Sequence, residues 1–294
     1  MTTLCPVCRS GLEPATEGFH CTGCGAIYAI VDDVPLLVPP QLSEQHEHQR
    51  GYFDAEFAQF GSYEVDPWRK SFNDRIFPAI GLAPVTAPYL DVGVGGSGAT
   101  VIEAARAGVE AVGCDLSVAG VVRAARFAAS EGFAERTSFV VCAAERLPFA
   151  DESIGCASAV AVLEHLDDDG EAVGELARVL RPGGRVWVTV PHAYRYIPPP
   201  VWPLYLVHDR RIGHKRHYDE ARLQGVFATH GLRHIETQWT GHPVKLVQYA
   251  LTLAAEKTGR DPERVWWALE RADLRALRRK LFALQISAVF EKPS

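Results

Sequence analysis

The chain has 294 residues, of which 47% are hydrophobic, and a formal net charge of -6 at pH 7. This length and composition predict a soluble globular protein with a well-buried core and room for two domains of unequal size. No apolar stretch approaches the roughly 18 residues that a membrane span needs, and no secretory signal is visible, so we expect a cytoplasmic protein. The acidic balance excludes a general attraction to phosphate backbones, and an RNA partner would require a local basic patch.

Four of the seven cysteines lie within the first 25 residues. Cys5 and Cys8 form one CxxC pair, and Cys21 and Cys24 form a second pair after twelve intervening residues. Each pair can hold two thiolates on one tetrahedral ion, so the spacing predicts a closed, structural Zn²⁺ site with four cysteine ligands. Two disulfides are the alternative, and a reducing cytoplasm disfavours them. The other three cysteines are predicted to be small buried hydrophobes.

The residues around these cysteines continue as a predicted strand at 26–30, an acidic turn at Asp32-Asp33 and a second apolar run at 34–38. Over residues 4–39, the order of cysteines, strand, turn and apolar run resembles the zinc ribbon of the Trm112-like family. The resemblance implies a small zinc ribbon at residues 1–40. Such ribbons are often fused or bound to methyltransferases.

The next residues are predicted to connect this ribbon to a larger domain. Residues 41–50 are polar and form either a linker or the start of a helix. Residues 52–80 have the apolar spacing of one or two amphipathic helices. We therefore expect a linker with N-terminal helices over 41–86, followed by one larger domain over 87–294.

A strand, a glycine-rich turn and a helix are predicted in the sequence APYLDVGVGGSG at residues 87–98 and the stretch after it. Glycines let the backbone approach a ligand, and the following helix offers its positive N-terminal end, so the turn is suited to a nucleoside or a phosphate. A second apolar strand ends at Asp115, 24 positions after Asp91, where a carboxylate can accept both ribose hydroxyls. These two motifs alone leave NAD and S-adenosylmethionine (SAM) both open.

Four segments in order resemble the methyltransferase type 11 family across residues 90–191: LDVGVGGSGAT, ERLPFADESI, AVLEHL and LARVLRPGGRVWVTVP. The resemblance implies a class I SAM-dependent methyltransferase. Its fold would be α/β, with a seven-stranded Rossmann-like sheet, helices on both faces and the zinc ribbon added at the N-terminus. The last two strands, predicted at 232–240 and 285–292, would pair antiparallel at one sheet edge.

The same resemblance implies the residues that contact SAM. The first strand and its turn would face the methionine part, the end of the second strand the ribose, and the segment after the third strand the adenine. Tyr52 would belong to a lid over the cofactor. The full set is Tyr52, Asp91, Gly93, Gly95, Gly98, Asp115, Leu116, Ala144, Glu145 and His165. Two positions depart from the family pattern: Ser97 replaces the third glycine, and Ala143 replaces the usual adenine-binding acid.

Methyl transfer from a sulfonium needs an aligned acceptor, exclusion of water and, where required, removal of one proton, so no nucleophilic residue is obligatory. An irregular, aromatic-rich insertion at about 192–218 is predicted to form the acceptor pocket, and a helical insertion is predicted at about 243–283. The candidate catalytic residues are His165, His192, His214, His217 and Tyr218. A structural role remains the alternative for each of the histidines.

The predicted reaction moves a methyl group from SAM to a small-molecule acceptor by O- or N-methylation and leaves S-adenosylhomocysteine. One alternative is a nucleobase methyltransferase acting on ribosomal RNA, because a group of those enzymes also begins with a cysteine-rich zinc module. A further alternative is a non-catalytic SAM-binding scaffold, which the departures at Ser97 and Ala143 leave open. We expect a monomer or a homodimer.

Overall fold

The computed structural model describes residues 3–16, 18–58, 67–244, 247–248, 250–251, 254, 258 and 263–294. Within these residues, two separate sheets form, one of four strands and one of seven. Much of the first half of the helical insertion predicted at 243–283 lies outside the described residues.

The N-terminal sheet has four strands in the order of the chain, each antiparallel to the next. The strands are β1 (Leu12–Ala15), β2 (Gly18–Cys21), β3 (Ile27–Val31) and β4 (Val34–Pro35). The predicted acidic turn is confirmed, since Asp32 and Asp33 join β3 to β4 with φ values of 49° and 64°. Aspartate tolerates this left-handed region better than most residues.

The large sheet contains β5 (Tyr89–Val92), β6 (Ala111–Asp115), β7 (Thr137–Val141), β8 (Ile154–Val160), β9 (Leu180–Pro191), β10 (Arg233–Thr240) and β11 (Gln285–Glu291). Their spatial order is β10-β11-β9-β8-β5-β6-β7. The strands β5 to β9 pair in parallel, whereas β11 runs antiparallel to both β9 and β10, as expected for the last two strands. The strand order reverses between β5 and β8, and in open α/β sheets this switch point marks the ligand crevice.

Helices cover both faces of the large sheet, which confirms the expected architecture. They are α1 (Glu44–Phe57), α2 (Pro67–Ile80), α3 (Ala99–Arg106), α4 (Val118–Ser130), α5 (Asp169–Val179), α6 (Trp202–Ile212), α7 (Glu220–Thr229) and α8 (Glu263–Leu274). One core lies against α5 and α7 and includes Leu176 and Phe227, and the other lies against α2, α3 and α4 and includes Ile76 and Val121. Strands covered on both faces are apolar almost throughout, which explains why most residues of β8 and of β9 from Val186 onward are apolar and buried.

The N-terminal sheet packs directly against the large one. Leu37 N donates to the carbonyl oxygen of Val141 at 2.8 Å, so the chain just after β4 continues the large sheet at its β7 edge. Leu4 N donates to the carbonyl oxygen of Pro148 at 2.8 Å. Arg9 Nη2 lies 2.6 Å from Glu175 Oε1 on α5. The second apolar run therefore forms only a short strand within the ribbon, because its later residues pair with β7 instead.

The start of β8 lies unusually close to the segment before β5. A Cβ atom added at Gly155 would lie 1.9 Å from the carbonyl oxygen of Thr86. Only glycine fits this approach without a backbone shift. The absence of a side chain at Gly155 therefore follows from packing.

Candidate functional site

A cavity of about 460 Å³ opens at the carboxyl ends of the central parallel strands, beneath α1. This volume is typical of sites for small organic ligands. The described residues that line it come from the turns after β5, β6, β7 and β8, from α1 and from the segment around α6. Among the predicted cofactor-binding residues they include Tyr52, Asp91, Gly93, Gly95, Asp115, Leu116, Ala144, Glu145 and His165.

The glycine-rich turn after β5 forms one wall of the cavity. Gly93 has φ 77°, and an added Cβ would lie 2.4 Å from Val162 Cγ2, so a side chain here would be strained and would collide with the turn after β8. Gly98 is placed differently from its prediction. It does not line the cavity but precedes α3 in the left-handed conformation. A Cβ atom added at Gly98 would lie 2.9 Å from Ala124 Cβ, so this glycine allows α3 to pack closely on α4.

Ser97, which replaces the third glycine of the family pattern, has a local structural role. Ser97 Oγ accepts a hydrogen bond from Ala99 N at 3.4 Å, in the first turn of α3. This bond satisfies one of the backbone donors that a helix leaves open at its start. The departure from the family pattern at Ser97 therefore stays compatible with the strand, turn and helix arrangement.

Asp115 holds the glycine turn in place. Its Oδ2 accepts from Gly95 N at 3.0 Å, and its Oδ1 accepts from Ser117 N at 2.9 Å. Burial raises the pKa of Asp115 above its ordinary value, and these backbone donors oppose that rise. A carboxylate offers about four acceptor positions, so the two contacts leave capacity for further hydroxyl donors from a ligand.

Helix α1 covers the cavity and is held at both ends by polar contacts. Near its start, Gln45 Nε2 donates to the carbonyl oxygen of His165 at 2.8 Å. Near its end, Asp54 Oδ1 accepts from Ser117 Oγ at 2.6 Å and from Ala119 N at 2.9 Å. The polar stretch at 41–50 is therefore mainly helix. Helix α1 places three aromatic side chains at the cavity: Tyr52, Phe53 and Phe57.

The cavity wall is acidic. Its described residues include five carboxylates and no lysine or arginine: Glu56, Asp91, Asp115, Glu145 and Glu164. Glu145 Oε1 lies 3.1 Å from His46 Nε2, whereas Glu145 Oε2 is buried with no hydrogen-bond partner. An unpaired buried carboxylate oxygen is costly, and a cationic or hydrogen-bonding ligand would remove that cost.

A cluster of histidines and acids, here called the histidine-rich end of the cavity, lies where the turn after β8 meets the turn after α6. His214 Nδ1 lies 2.8 Å from Asp209 Oδ1, and His214 Nε2 lies 3.8 Å from Glu164 Oε1. Burial raises the pKa of Glu164 to about 8 and lowers the pKa of His165 to about 3. At neutral pH both imidazoles are therefore uncharged, because burial also lowers the pKa of His214.

Three predicted catalytic residues lie behind this wall. His217 Nε2 hydrogen-bonds Asp209 Oδ2 at 2.7 Å, and Tyr218 OH donates to Asp169 Oδ2 at 2.7 Å. His192 is fully buried; its Nδ1 lies 3.0 Å from the carbonyl oxygen of Ala283. None of the three lines the cavity. His192 is therefore reassigned to packing, since a ring enclosed in this way does not reach an acceptor.

Asp209 was missed in the sequence, although it receives the most polar contacts in the cluster. Its carboxylate accepts hydrogen bonds from Tyr194 OH, from a ring nitrogen of His214 and from a ring nitrogen of His217. These contacts keep the pKa of Asp209 below its ordinary value despite burial. In the sequence, Asp209 lies five residues before His214, near the end of an amphipathic segment. That spacing does not predict a contact between the two side chains unless the conformation of the turn after α6 is known.

The four N-terminal cysteines converge as predicted. Cys5 Sγ lies 3.7 Å from Cys24 Sγ, and Cys8 Sγ lies 3.4 Å from Cys21 Sγ, with all four sulfurs within 4.8 Å of one another. Four thiolates at the usual zinc–sulfur distance in a tetrahedron lie roughly 3.8 Å apart, which fits this cluster. All seven cysteines of the chain are free thiols, so the disulfide alternative receives no support. The donor set therefore suits Zn²⁺.

No helix among the described residues is long and apolar enough to cross a membrane. The cavity lining also begins at His46, so the described ribbon residues do not contribute to it.

Comparison with known proteins shows which families the central strands of the large sheet resemble. Residues 90–188 match the family model described as a methyltransferase domain. Over 97 residues, the chain is 36% identical to the chloroplastic tocopherol O-methyltransferase of Arabidopsis thaliana, an alignment that covers 33% of this chain and 28% of that protein. The chain spans less than half the length of the curated relatives that it matches.

Two solved structures share the fold. Phosphoethanolamine N-methyltransferase 2 of Haemonchus contortus, in complex with S-adenosyl-L-methionine, aligns with a TM-score of 0.61 at 20% identity, over 88% of this chain and 62% of that one. Geranyl diphosphate C-methyltransferase from Streptomyces coelicolor A3(2) aligns with a TM-score of 0.61 at 16% identity, over 86% and 100% of the two chains. The large sheet therefore has the fold of a SAM-dependent methyltransferase.

Proposed function

We propose that this chain is a SAM-dependent methyltransferase that acts on a small-molecule acceptor. The observation that carries the proposal is the acidic, aromatic cavity at the switch point of the sheet. Its described lining residues include five acidic side chains, of which Glu164 is mostly protonated at neutral pH, and no lysine or arginine. A sulfonium cation is attracted to such a wall. The pyrophosphate of NAD would be repelled, which separates the two cofactors that the strand and turn motifs leave open.

The residues present fit SAM at three points. The backbone of Gly93 and Gly95, which lines the cavity, would hold the methionine part together with Asp91. Asp115 has acceptor capacity for the ribose hydroxyls beyond its two backbone contacts. Leu116, Ala144 and Glu145 would enclose the adenine, and the unpartnered Glu145 Oε2 offers an acceptor for its amino group.

When bound, SAM supplies an electrophilic methyl group. The chain's own contribution is to orient the acceptor and exclude water. Helix α1 and its aromatic side chains close the cavity from solvent, and His165 and His214 contact the acceptor at the histidine-rich end. We assign His217 and Tyr218 as positioning residues, because they act through Asp209 and through Asp169.

The acidic wall also favours a small molecule over RNA as the acceptor. A nucleic-acid substrate brings phosphates to the entrance, and neutralising them requires lysines or arginines that the described lining does not supply. Association with RNA that falls as salt concentration rises would instead support the ribosomal RNA alternative.

Calorimetric titration tests the proposal directly. The purified protein is titrated separately with SAM, with S-adenosylhomocysteine and with NAD⁺, and S-adenosylhomocysteine formation is then measured with a panel of small hydroxyl and amine acceptors. We expect micromolar binding of the first two ligands and none of NAD⁺. The absence of SAM binding by a folded sample would contradict the proposal.

We further propose that Cys5, Cys8, Cys21 and Cys24 hold a structural Zn²⁺. Their spacing and the separation of their sulfur atoms support this assignment. With four protein ligands no coordination position remains for a substrate, so the ion would stabilise the ribbon rather than take part in chemistry.

A further inference from the structure

A second group of metal-ligand side chains lies at the histidine-rich end of the cavity, away from the cysteines. Glu164, His165 and His214 each present one ligand atom, and these atoms lie within 4.8 Å of one another. All three residues line the cavity. Glu164 and His165 follow β8, whereas His214 follows α6, so two distant segments of the chain converge on one point.

Two residues of this group each have a buried side-chain atom without a hydrogen-bond partner. Glu164 is 1% exposed, and its Oε2 is buried without a hydrogen bond. His165 is 8% exposed, and its Nδ1 is likewise buried without a partner. Buried polar atoms are nearly always hydrogen-bonded, and each one left unpaired costs roughly 1–3 kcal/mol. Two such atoms on neighbouring residues that both line the cavity indicate that this part of the cavity binds a ligand.

The third ligand atom is oriented by a neighbouring carboxylate. His214 Nδ1 is hydrogen-bonded to Asp209 Oδ1 at 2.8 Å, which leaves Nε2 as a lone-pair donor toward Glu164. The separation of 3.8 Å between His214 Nε2 and Glu164 Oε1 is too long for a hydrogen bond. A histidine that ligates a metal usually donates its other ring nitrogen to a carboxylate or a carbonyl in this way.

Asp209 itself is a poor candidate for a ligand. Its carboxylate already accepts from Tyr194, His214 and His217. A residue with this many donors acts as the outer partner of a metal site rather than as a member of it. The donor set is therefore two imidazole rings and one carboxyl group.

We propose that Glu164, His165 and His214 bind a divalent first-row transition-metal ion, with Asp209 as the positioning residue for His214. Two histidines and one carboxylate leave coordination positions open, and in proteins this set holds Zn²⁺ or Fe²⁺. All three residues line the cavity, so an ion that they hold would be accessible to a hydroxyl oxygen of the acceptor. The role of the acceptor rests on the proposed function, whereas the metal site itself does not.

Metal analysis of purified variants tests this site. Wild type, Glu164→Gln and His214→Gln are dialysed against Zn²⁺, desalted and analysed for zinc per chain by mass spectrometry. Glu164→Gln keeps the shape of the side chain, and the exposed His230→Gln serves as the matched histidine control. We expect wild type and the control to retain one ion more than either ligand variant. Asp209→Asn should weaken zinc binding by ~10–100-fold, the usual cost of losing an outer-shell partner.

Dialysis against Co²⁺ in place of Zn²⁺ identifies which site has lost its ion. Thiolate ligands give Co²⁺ a strong charge-transfer absorption, and that absorption should be unchanged in Glu164→Gln and His214→Gln. Equal metal content in wild type and both ligand variants would overturn the inference, as would a parallel loss of the thiolate absorption. Titration of the same samples with SAM separates the two proposals, because metal retention without SAM binding would refute only the proposed function.

Discussion

The substitution of Asp115 gives the sharpest test of the cofactor site. In the structure its two carboxylate oxygens accept from Gly95 N and Ser117 N, and the remaining acceptor positions are those assigned to the two ribose hydroxyls. Asp115→Ala removes both sets of contacts. Asp115→Asn keeps one oxygen acceptor but places an amide NH₂ against a backbone donor, so it should have an intermediate effect.

The expected loss follows from the hydrogen bonds involved. A hydrogen bond to a charged group contributes about 1.5–3 kcal/mol, so the loss of two such bonds to the ribose costs about 3–6 kcal/mol. At 1.4 kcal/mol for each tenfold change, Asp115→Ala should weaken SAM binding by roughly 10²–10⁴-fold. The glycine turn also loses a partner, and we expect a lower thermal midpoint as a separate effect.

Calorimetry measures the dissociation constant for SAM in both variants, and circular dichroism confirms that they are folded at the assay temperature. Asp74→Ala is the control, because Asp74 is an exposed carboxylate on α2, a helix that borders the cavity. It should bind SAM like wild type. Folded Asp115→Ala and Asp115→Asn proteins that both bind SAM within about threefold of wild type would refute the assignment of the ribose site.

Three further predictions concern stability. Gly155→Ala should destabilise the protein by about 1–3 kcal/mol in urea denaturation, because the added methyl overlaps a backbone carbonyl, whereas Gly225→Ala, in open space on a helix, should stabilise it by about 0.5–1 kcal/mol. Cys5→Ser should lose one zinc ion and several degrees of thermal midpoint; wild-type values for both would count against a structural ion. The hydrogen bond to Asp273 raises the pKa of His242, so the stability that the pair adds is complete below about pH 6.5 and disappears as pH rises through that raised value. The stability difference between wild type and His242→Gln should shrink correspondingly, and a pH-independent difference would argue against the ion pair.

The elements with local signals were predictable from the sequence. A glycine-rich turn between an apolar strand and a helix has few conformations available, and Asp91, Gly93 and Gly95 line the cavity. Their contact with SAM stays a prediction. The spacing of the cysteines likewise determines that four sulfurs meet, whatever lies around them. Asp115 was predictable because its position at the end of the second strand follows from the βαβ unit.

For the histidine-rich end, the sequence predicts which residue types are present but not which of them line the cavity. Five residues were candidates for catalysis, yet His165 and His214 alone line the cavity, because the turn after α6 points His214 inward and His217 toward Asp209. Nothing in residue order distinguishes these histidines, which are three positions apart on an irregular segment. The same limit applies to Gly98, which stands beside the position of the family's third glycine but packs on α4 instead of lining the cavity.

The position of the ribbon explains how a metal module outside the cavity would influence the cavity. The ribbon is hydrogen-bonded on both sides of one wall segment. Leu37 N donates to Val141 at the end of β7, just before the segment, and Leu4 N donates to Pro148 in the loop just after it. Residues 142–145 between these two anchors line the cavity where we place the adenine. Cys5 and Cys21 are buried in the same core as Leu147 and Phe149. An ion that fixes the cysteines would therefore fix both anchors, and the ribbon would support the cofactor site from behind without touching the ligand.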